Sequence, residues 1–394
     1  MIEAIWNSLP AKVTRCLNWI HELPLRIFIP SALLFIILKN GIWVIPNIEV
    51  LRSMASDITR NMLVNDVRGQ YLYSSFFGLA LAWITGAYRT TTAFAAMHFS
   101  AFIAGTIGLS IFIDRRHGQS VVKLFLIALA CAPISNVILN WLGISDVFTY
   151  LFGTIIAISE SVPILFLATM FLGVSHMEQG IVIAVIVITK IALIDDAHSK
   201  SRLLRILAVA TGIVSAKIFF VAYFSAMNFN LTFSRAAFAT PAFAYLFLSG
   251  FLRNISVTVY AFYSAAWVLV GFFINFALRS HNKRFLAFTI FANITAAATS
   301  AMVYDSTRDF TLIVWPAFVA ALIYVDRKAD REELRKATLL AFAACLILPK
   351  IIVWAGKMQS SALFYDFLFV AEKITRKSLI APLDYIHIAW PFAY

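Results

Sequence analysis

Apolar residues run along this chain in long blocks separated by short polar turns, and a bilayer crossing needs roughly 20 apolar residues in a helix. Blocks that meet or approach that length lie near 25–46, 92–113, 122–143, 203–225, 258–278, 286–304, 311–325 and 337–355. The stretch 147–195 holds more apolar sequence than one crossing needs. It divides into three short blocks near 147–159, 162–176 and 180–195. The pattern predicts an all-α fold, a polytopic transmembrane helical bundle of about eleven spans.

Three further segments read as interfacial. Residues 1–23 alternate apolar and basic positions, which fits an amphipathic helix on the membrane surface better than a cleavable signal peptide. The segments 71–87 (YLYSSFFGLALAWITGA) and 236–252 (AAFATPAFAYLFLSGFL) are apolar, yet counting 71–87 as a crossing places the basic turn 114–123 on the wrong face. The expected organisation is an N-terminal interfacial helix over 1–23, a membrane bundle over 24–355 with an outer loop at 47–91, and an amphipathic tail over 356–394.

Composition agrees. The chain of 394 residues is 61% hydrophobic and 13% charged, against about 25% charged in soluble domains. Its net charge of +12 would suit nucleic acid, but the basic residues cluster in short turns between apolar blocks. The turns 114–123, 190–205, 279–284 and 326–336 then mark the cytoplasmic face. That places the N-terminus in the cytoplasm and puts 47–91, 226–257, 305–309 and the tail on the periplasmic face of a bacterial inner membrane. Three cysteines imply no disulfide framework. No Cys/His cluster has metal spacing, and no Gly-rich phosphate loop is present.

Lys39 stands inside an apolar block, followed by Ile42, Trp43, Val44 and Ile45. Charge at that depth is costly and usually has a partner or a task. Lys39, Lys217 and Lys350 each follow the last basic residue of their block by about thirteen positions, roughly 20 Å along a helix. Each lysine snorkels to the outer interface, or the three form a cationic shelf for a lipid phosphate. The loop after Lys39 mixes Glu49, Asp57 and Asp66 with Arg52, Arg60 and Arg68. Asp146, His176 with Glu178, and Asp305 with Arg308 and Asp309 stand at three other outer turns. Asp146 and Asp305 suit helix N-caps, His176 suits a hydrogen-bonded interface position, and the set also suits substrate binding.

Three features together resemble the GT-C class of polytopic glycosyltransferases. A first span is followed at once by an acidic outer loop (Glu49, Asp57, Asp66). That loop carries an interfacial helix, YLYSSFFGLALAWITG. In FIDRRHGQSVVKLFLIALACAPISNVILNWLGISDVFTYLFGTIIAI, a basic inner turn precedes a Pro-containing span and an acidic residue that opens the next span. The resemblance implies transfer of a sugar from a polyprenyl-phosphate-linked donor to an envelope glycan or lipid acceptor, by inverting displacement. Asp57 is the first choice of base, then Asp66, then Glu49. Arg68, Arg235 and Arg308, with Lys39, Lys217 and Lys350, would hold donor phosphate. No dedicated metal cage is visible, although Asp57 and Asp146 leave room for one divalent ion, Mg or Mn. Two other classes fit the same residues: an envelope polysaccharide or O-antigen polymerase, and a non-enzymatic lipid-linked glycan flippase or transporter.

Overall fold

The computed structural model describes residues 2–45, 48–59, 72–195, 198–228, 241–253, 255–303, 305–354 and 357–360. Two helices open the chain, α1 (Ile2–Ser8) and α2 (Ala11–Glu22), and α3 (Leu25–Asn40) follows. The expected single N-terminal helix is divided at Pro10. At Pro24 the axis turns by 115° between α2 and α3. Proline lacks the N–H that would continue a helix, so both residues start new ones. Glycine at position 41, with φ of 74°, ends α3.

After α4 (Ile48–Ser56) and α5 (Leu72–Thr85) comes α6 (Thr91–His117). Then follow α7 (Gln119–Cys131), α8 (Ile134–Asn140), α9 (Asp146–Ile158), α10 (Val162–Ser175), α11 (Met177–Leu193) and α12 (Ser199–Ala226). The rest is α13 (Pro241–Arg253), α14 (Ile255–Tyr263), α15 (Trp267–Arg279), α16 (Lys283–Ser300), α17 (Ser306–Lys328), α18 (Arg331–Ile347) and a hairpin of β1 (Ile351–Trp354) and β2 (Lys357–Ser360). The hairpin corrects the expected block 337–355. Leu348 is extended and precedes Pro349, a residue pair that disfavours helix, so α18 stops there.

Among the described residues, four helices are long and apolar enough to cross a membrane: α6, α12, the broken pair α14–α15, and α17. The bent pairs α2–α3 and α7–α8 raise this to six. The chain is a multi-pass helical membrane protein. Its outward surface is apolar, as Leu203, Leu207, Val214, Ile218 and Val221 along α12 illustrate. Helix α17 is the axis of the bundle, buried from Ser306 to Ile323. Small residues let helices approach: a Cβ at Gly212 of α12 would lie 2.7 Å from the Phe166 carbonyl of α10, and one at Gly153 of α9 would lie 2.9 Å from Pro316 of α17. Close backbone approach of this kind replaces the hydrophobic drive that lipid cannot supply.

The four basic turns meet at one end of the bundle. Arg116 donates to the Ile158 carbonyl, Arg327 pairs with Glu160, Arg205 pairs with Glu160 and Asp195, and Arg279 pairs with Glu333. Helices α1 and α2 join this basic end through Lys336–Glu3 and Arg335–Asn18. The opposite end gathers the starts of α9, α11 and α17, the ends of α3, α8 and α18, and the segments α4 and α5.

Candidate functional site at the acidic end

Asp146 opens α9, Met177 opens α11 and Ser306 opens α17, so the three helices run parallel and their N-termini converge. A helix N-terminus carries partial positive charge and favours carboxylates. Acids stand at each: Asp146, Glu178, and Asp305 with Asp309. Arg308 joins them. Its Nε and Nη2 each donate to Asp146 at 2.7 Å, a two-pronged pair, and Nη1 donates to Asp305 at 3.0 Å. The guanidinium also lies 5.5 Å from the centre of the Trp141 ring. Asp146 keeps 1% of its surface exposed and Arg308 6%, so this is a buried ion pair with excellent geometry.

Helix capping therefore does not explain Asp146 or Asp305, because neither side chain caps a helix. Both turn to Arg308 instead. His176 does cap α11, accepting from the Gln179 N–H at 3.4 Å, and its Nδ1 lies 3.4 Å from Glu178. Gln179 donates through its side chain to Asp309, which ties the start of α11 to α17. The turns that the sequence singled out separately thus form one cluster. Asp146 already accepts from Arg308 through both oxygens, which leaves it badly placed to share a divalent ion with Asp57.

Asp305 Oδ1 has no partner in this cluster. Burial raises its carboxyl to about 7, against the opposing pull of Arg308; Asp309 and Asp146 add to the rise. Other buried polar atoms on α8 and near the starts of α9 and α11 are also unmatched: Asn136 Nδ2, Asn140 Oδ1, Ser145 Oγ, Thr149 Oγ1 and Gln179 Oε1. Native interiors leave few such atoms, and each one calls for an explanation. Asn136 and Asn140 escaped the sequence analysis. Their signal was a spacing of four inside the apolar run ISNVILN, which puts both on one face of α8; they bond to each other there.

The lysines separate. Lys39 is 2% exposed and Lys350 1%, so neither snorkels to the surface. Lys39 Nζ donates to the Leu348 carbonyl at 3.0 Å, and Lys350 Nζ to Ser135 Oγ at 2.7 Å. Ser135 in turn bonds the Leu129 carbonyl. The C-terminal ends of α3, α7 and α18 meet around these two ammonium groups, and helix C-termini stabilise cations. Lys217 is exposed on α12 and does not share this burial, which corrects the three-lysine shelf to a pair. The pair adjoins the ionic cluster. Trp43, four residues past Lys39, hydrogen-bonds to Leu139 and Leu142, and Val353, three residues past Lys350, donates to Thr307 beside Arg308.

The first outer loop is partly helical. Ile48, Leu51, Met54 and Ala55 bury one face of α4. Glu49 accepts from Arg52 at 2.7 Å and from Thr91, and Arg52 also reaches the Tyr88 carbonyl. The Thr91 hydrogen bond, then Arg52, hold the Glu49 carboxyl below its usual range, which makes it a weak base. Its contacts fasten α4 to the start of α6. Glu49→Gln is expected to leave Tm near wild type, since exposed pairs are worth about 0–1 kcal/mol; a large drop in thermal unfolding would refute this.

Asp57 is half-buried past the end of α4, and its carboxylate has no partner among the described residues. Tyr223 of α12 donates to the neighbouring Ile58 carbonyl at 2.5 Å, which anchors that turn. Helix α5 packs Phe77 on Phe148, Phe152 and Phe171, and Phe76 on Phe219, Phe220 and Tyr223. It lies against the acidic-end portions of α9, α10 and α12. Asp66, Arg68 and Arg235 lie outside the described residues.

No protein-family model matches the chain, and neither a curated protein nor a solved structure matches it.

Proposed function

We propose that the protein is a membrane glycosyltransferase. It transfers a sugar from a polyprenyl-phosphate-linked donor to an envelope glycan or lipid acceptor at the acidic end, which faces the periplasm in a bundle of eleven crossings. One observation carries the reading: buried amide, hydroxyl and carboxyl atoms are left unmatched on α8, near the starts of α9 and α11, and on Asp305, all toward the acidic end. Sugar hydroxyls both donate and accept, so such atoms suit them. Trp141 adds an aromatic face in the same place.

Asp305 is the best-placed base. A general base works best with a pKa near the operating pH, and burial moves this carboxyl there. It takes the acceptor hydroxyl proton as that oxygen attacks the anomeric carbon, the bond to lipid phosphate breaks, and the anomeric centre inverts. Lys39 and Lys350 supply positive potential beside the site while remaining bound to helix ends. The polyprenyl chain has an apolar groove of about 590 Å³ between α3 and α6, lined by Leu25, Ile29, Leu33, Ile37, Phe99 and Ile103, and this groove runs along α3 toward Lys39.

Asp57 is the second candidate, a half-buried carboxylate with no partner among the described residues. Asp57→Asn is expected to lower sugar transfer by less than tenfold if Asp305 is the base, and by about 10²-fold or more if Asp57 is. Purified protein in bilayers, given a panel of polyprenyl-phosphate sugars and followed by release of the lipid, tests the whole reading. Release from no member of the panel would reject it. The flippase alternative draws on one observation, that α9, α11 and α17 carry charged clusters at both ends. Lipid-linked glycan crossing the bilayer without hydrolysis or transfer would favour it.

A further inference from the structure

The basic end holds a second polar site, about 30 Å from the first if a helix of the length of α17 separates them at 1.5 Å per residue. A cavity of about 230 Å³ opens there between the ends of α6, α9, α11 and α17 and the start of α12. Its charged lining consists of Lys190, Arg205, Arg327 and Lys328 against Glu160 and Asp195, with His117 at the wall.

The carboxylates are oversubscribed. Asp195 accepts from Lys190 at 2.9 Å and from Arg205 at 3.3 Å, while Glu160 lies 3.7 Å from both Arg205 and Arg327. Among the described residues, two acids are thus shared among Lys190, Arg205 and Arg327. Arg205 Nε and His117 Nε2 are buried with no hydrogen-bond partner among the described residues, so donors there are left over. Lys190 keeps 11% of its side chain exposed and Arg205 12%. Holding Lys190 and Arg205 in so enclosed a place on shared carboxylates is costly, and an anion entering the cavity offsets that cost.

We propose that this cavity binds a phosphate-bearing anion at the basic end of the bundle, with Arg205, Arg327 and Lys190 as its principal ligands. Arginine suits the task because its planar fork pairs with two phosphate oxygens at once. The phosphate comes from a lipid headgroup in the adjoining leaflet or from a soluble phosphate compound; the chemistry of the site is the same for both. The inference does not depend on the glycosyltransferase reading, since it uses none of the acidic-end residues.

The test uses the full chain and two probes. Inorganic pyrophosphate is titrated against protein in lipid-free detergent. Phosphatidic acid is supplied in phosphatidylcholine bilayers, with phosphatidylcholine alone as control. Binding is read by the rise in Tm. Protection by pyrophosphate supports a soluble source, and protection by phosphatidic acid alone supports a headgroup. Arg327→Gln, at a half-exposed side chain that folding tolerates, is expected to weaken binding about tenfold, as is Arg205→Gln. Lys12→Gln, an exposed site on α2, removes the same charge elsewhere and is expected to leave binding unchanged. Protection by neither probe, or equal protection in all three variants, overturns the proposal.

Discussion

Arg308→Met is expected to cost about 3–5 kcal/mol of stability, because it strands the buried Asp146 carboxylate without its cation. Asp146 sits at 1% exposure with both oxygens on that guanidinium, and Asp305 would lose its 3.0 Å partner as well. The helix N-termini offset part of the loss, since each favours a nearby negative charge. The expected readout is a large fall in Tm and in yield from the membrane. Adding Asp146→Leu in the Arg308→Met background is expected to recover much of the loss, because no uncompensated charge then remains at position 146. A double-mutant cycle measures that coupling. A single variant with the wild-type Tm would show that the pair contributes little.

Asp305→Asn is expected to reduce sugar transfer by about 10²- to 10⁴-fold, the usual contribution of a general base, while the protein still folds. Transfer by the wild type should rise as pH increases through about 7, where Asp305 loses its proton. The variant should lack that limb. Stability carries an independent signature. The folded carboxyl ionises less readily than an unfolded one, so the folded state binds more protons between about pH 4 and pH 7. Stability therefore falls as pH rises across that window and is fully penalised above it. Asparagine cannot ionise, so Tm of the variant should depend less on pH there. An unchanged rate and an unchanged pH profile would remove Asp305 from the mechanism.

The two largest effects share one origin. In a low-dielectric bundle, an unmatched charge is expensive and a matched one specifies which elements meet. Arg308 selects the starts of α9 and α17 as neighbours, and the Gln179–Asp309 bond adds α11. Lys39 does the same at the end of α18. Its position inside an apolar block is answered by the Leu348 carbonyl that Pro349 prevents from continuing in a helix.

Much of the architecture was legible in the chain itself. Apolar block lengths located nearly every long helix to within a few residues, because in a bilayer the backbone must bond to itself and only a helix allows that within one segment. The short basic turns were correctly grouped at one end, since charge can leave the bundle only at its ends. Block lengths did not show the breaks at Pro10 and Gly41, which divide segments that the apolar pattern reads as continuous.

What needed the tertiary structure was every fact about partners. Sequence spacing put Lys39, Lys217 and Lys350 at equal depth, but depth does not say which face of a helix turns inward; Lys217 faces out while the other two meet helix C-termini. Asp146 resembled a cap because a cap is a local solution, whereas its real partner, Arg308, lies 162 positions away. The cationic cavity at the basic end arises from helices distant in sequence. Hydropathy is a property of one segment at a time, and so it fixes where helices are. Which polar atoms are matched and which are left over depends on packing among segments, and that remainder is where this protein's chemistry is proposed to lie.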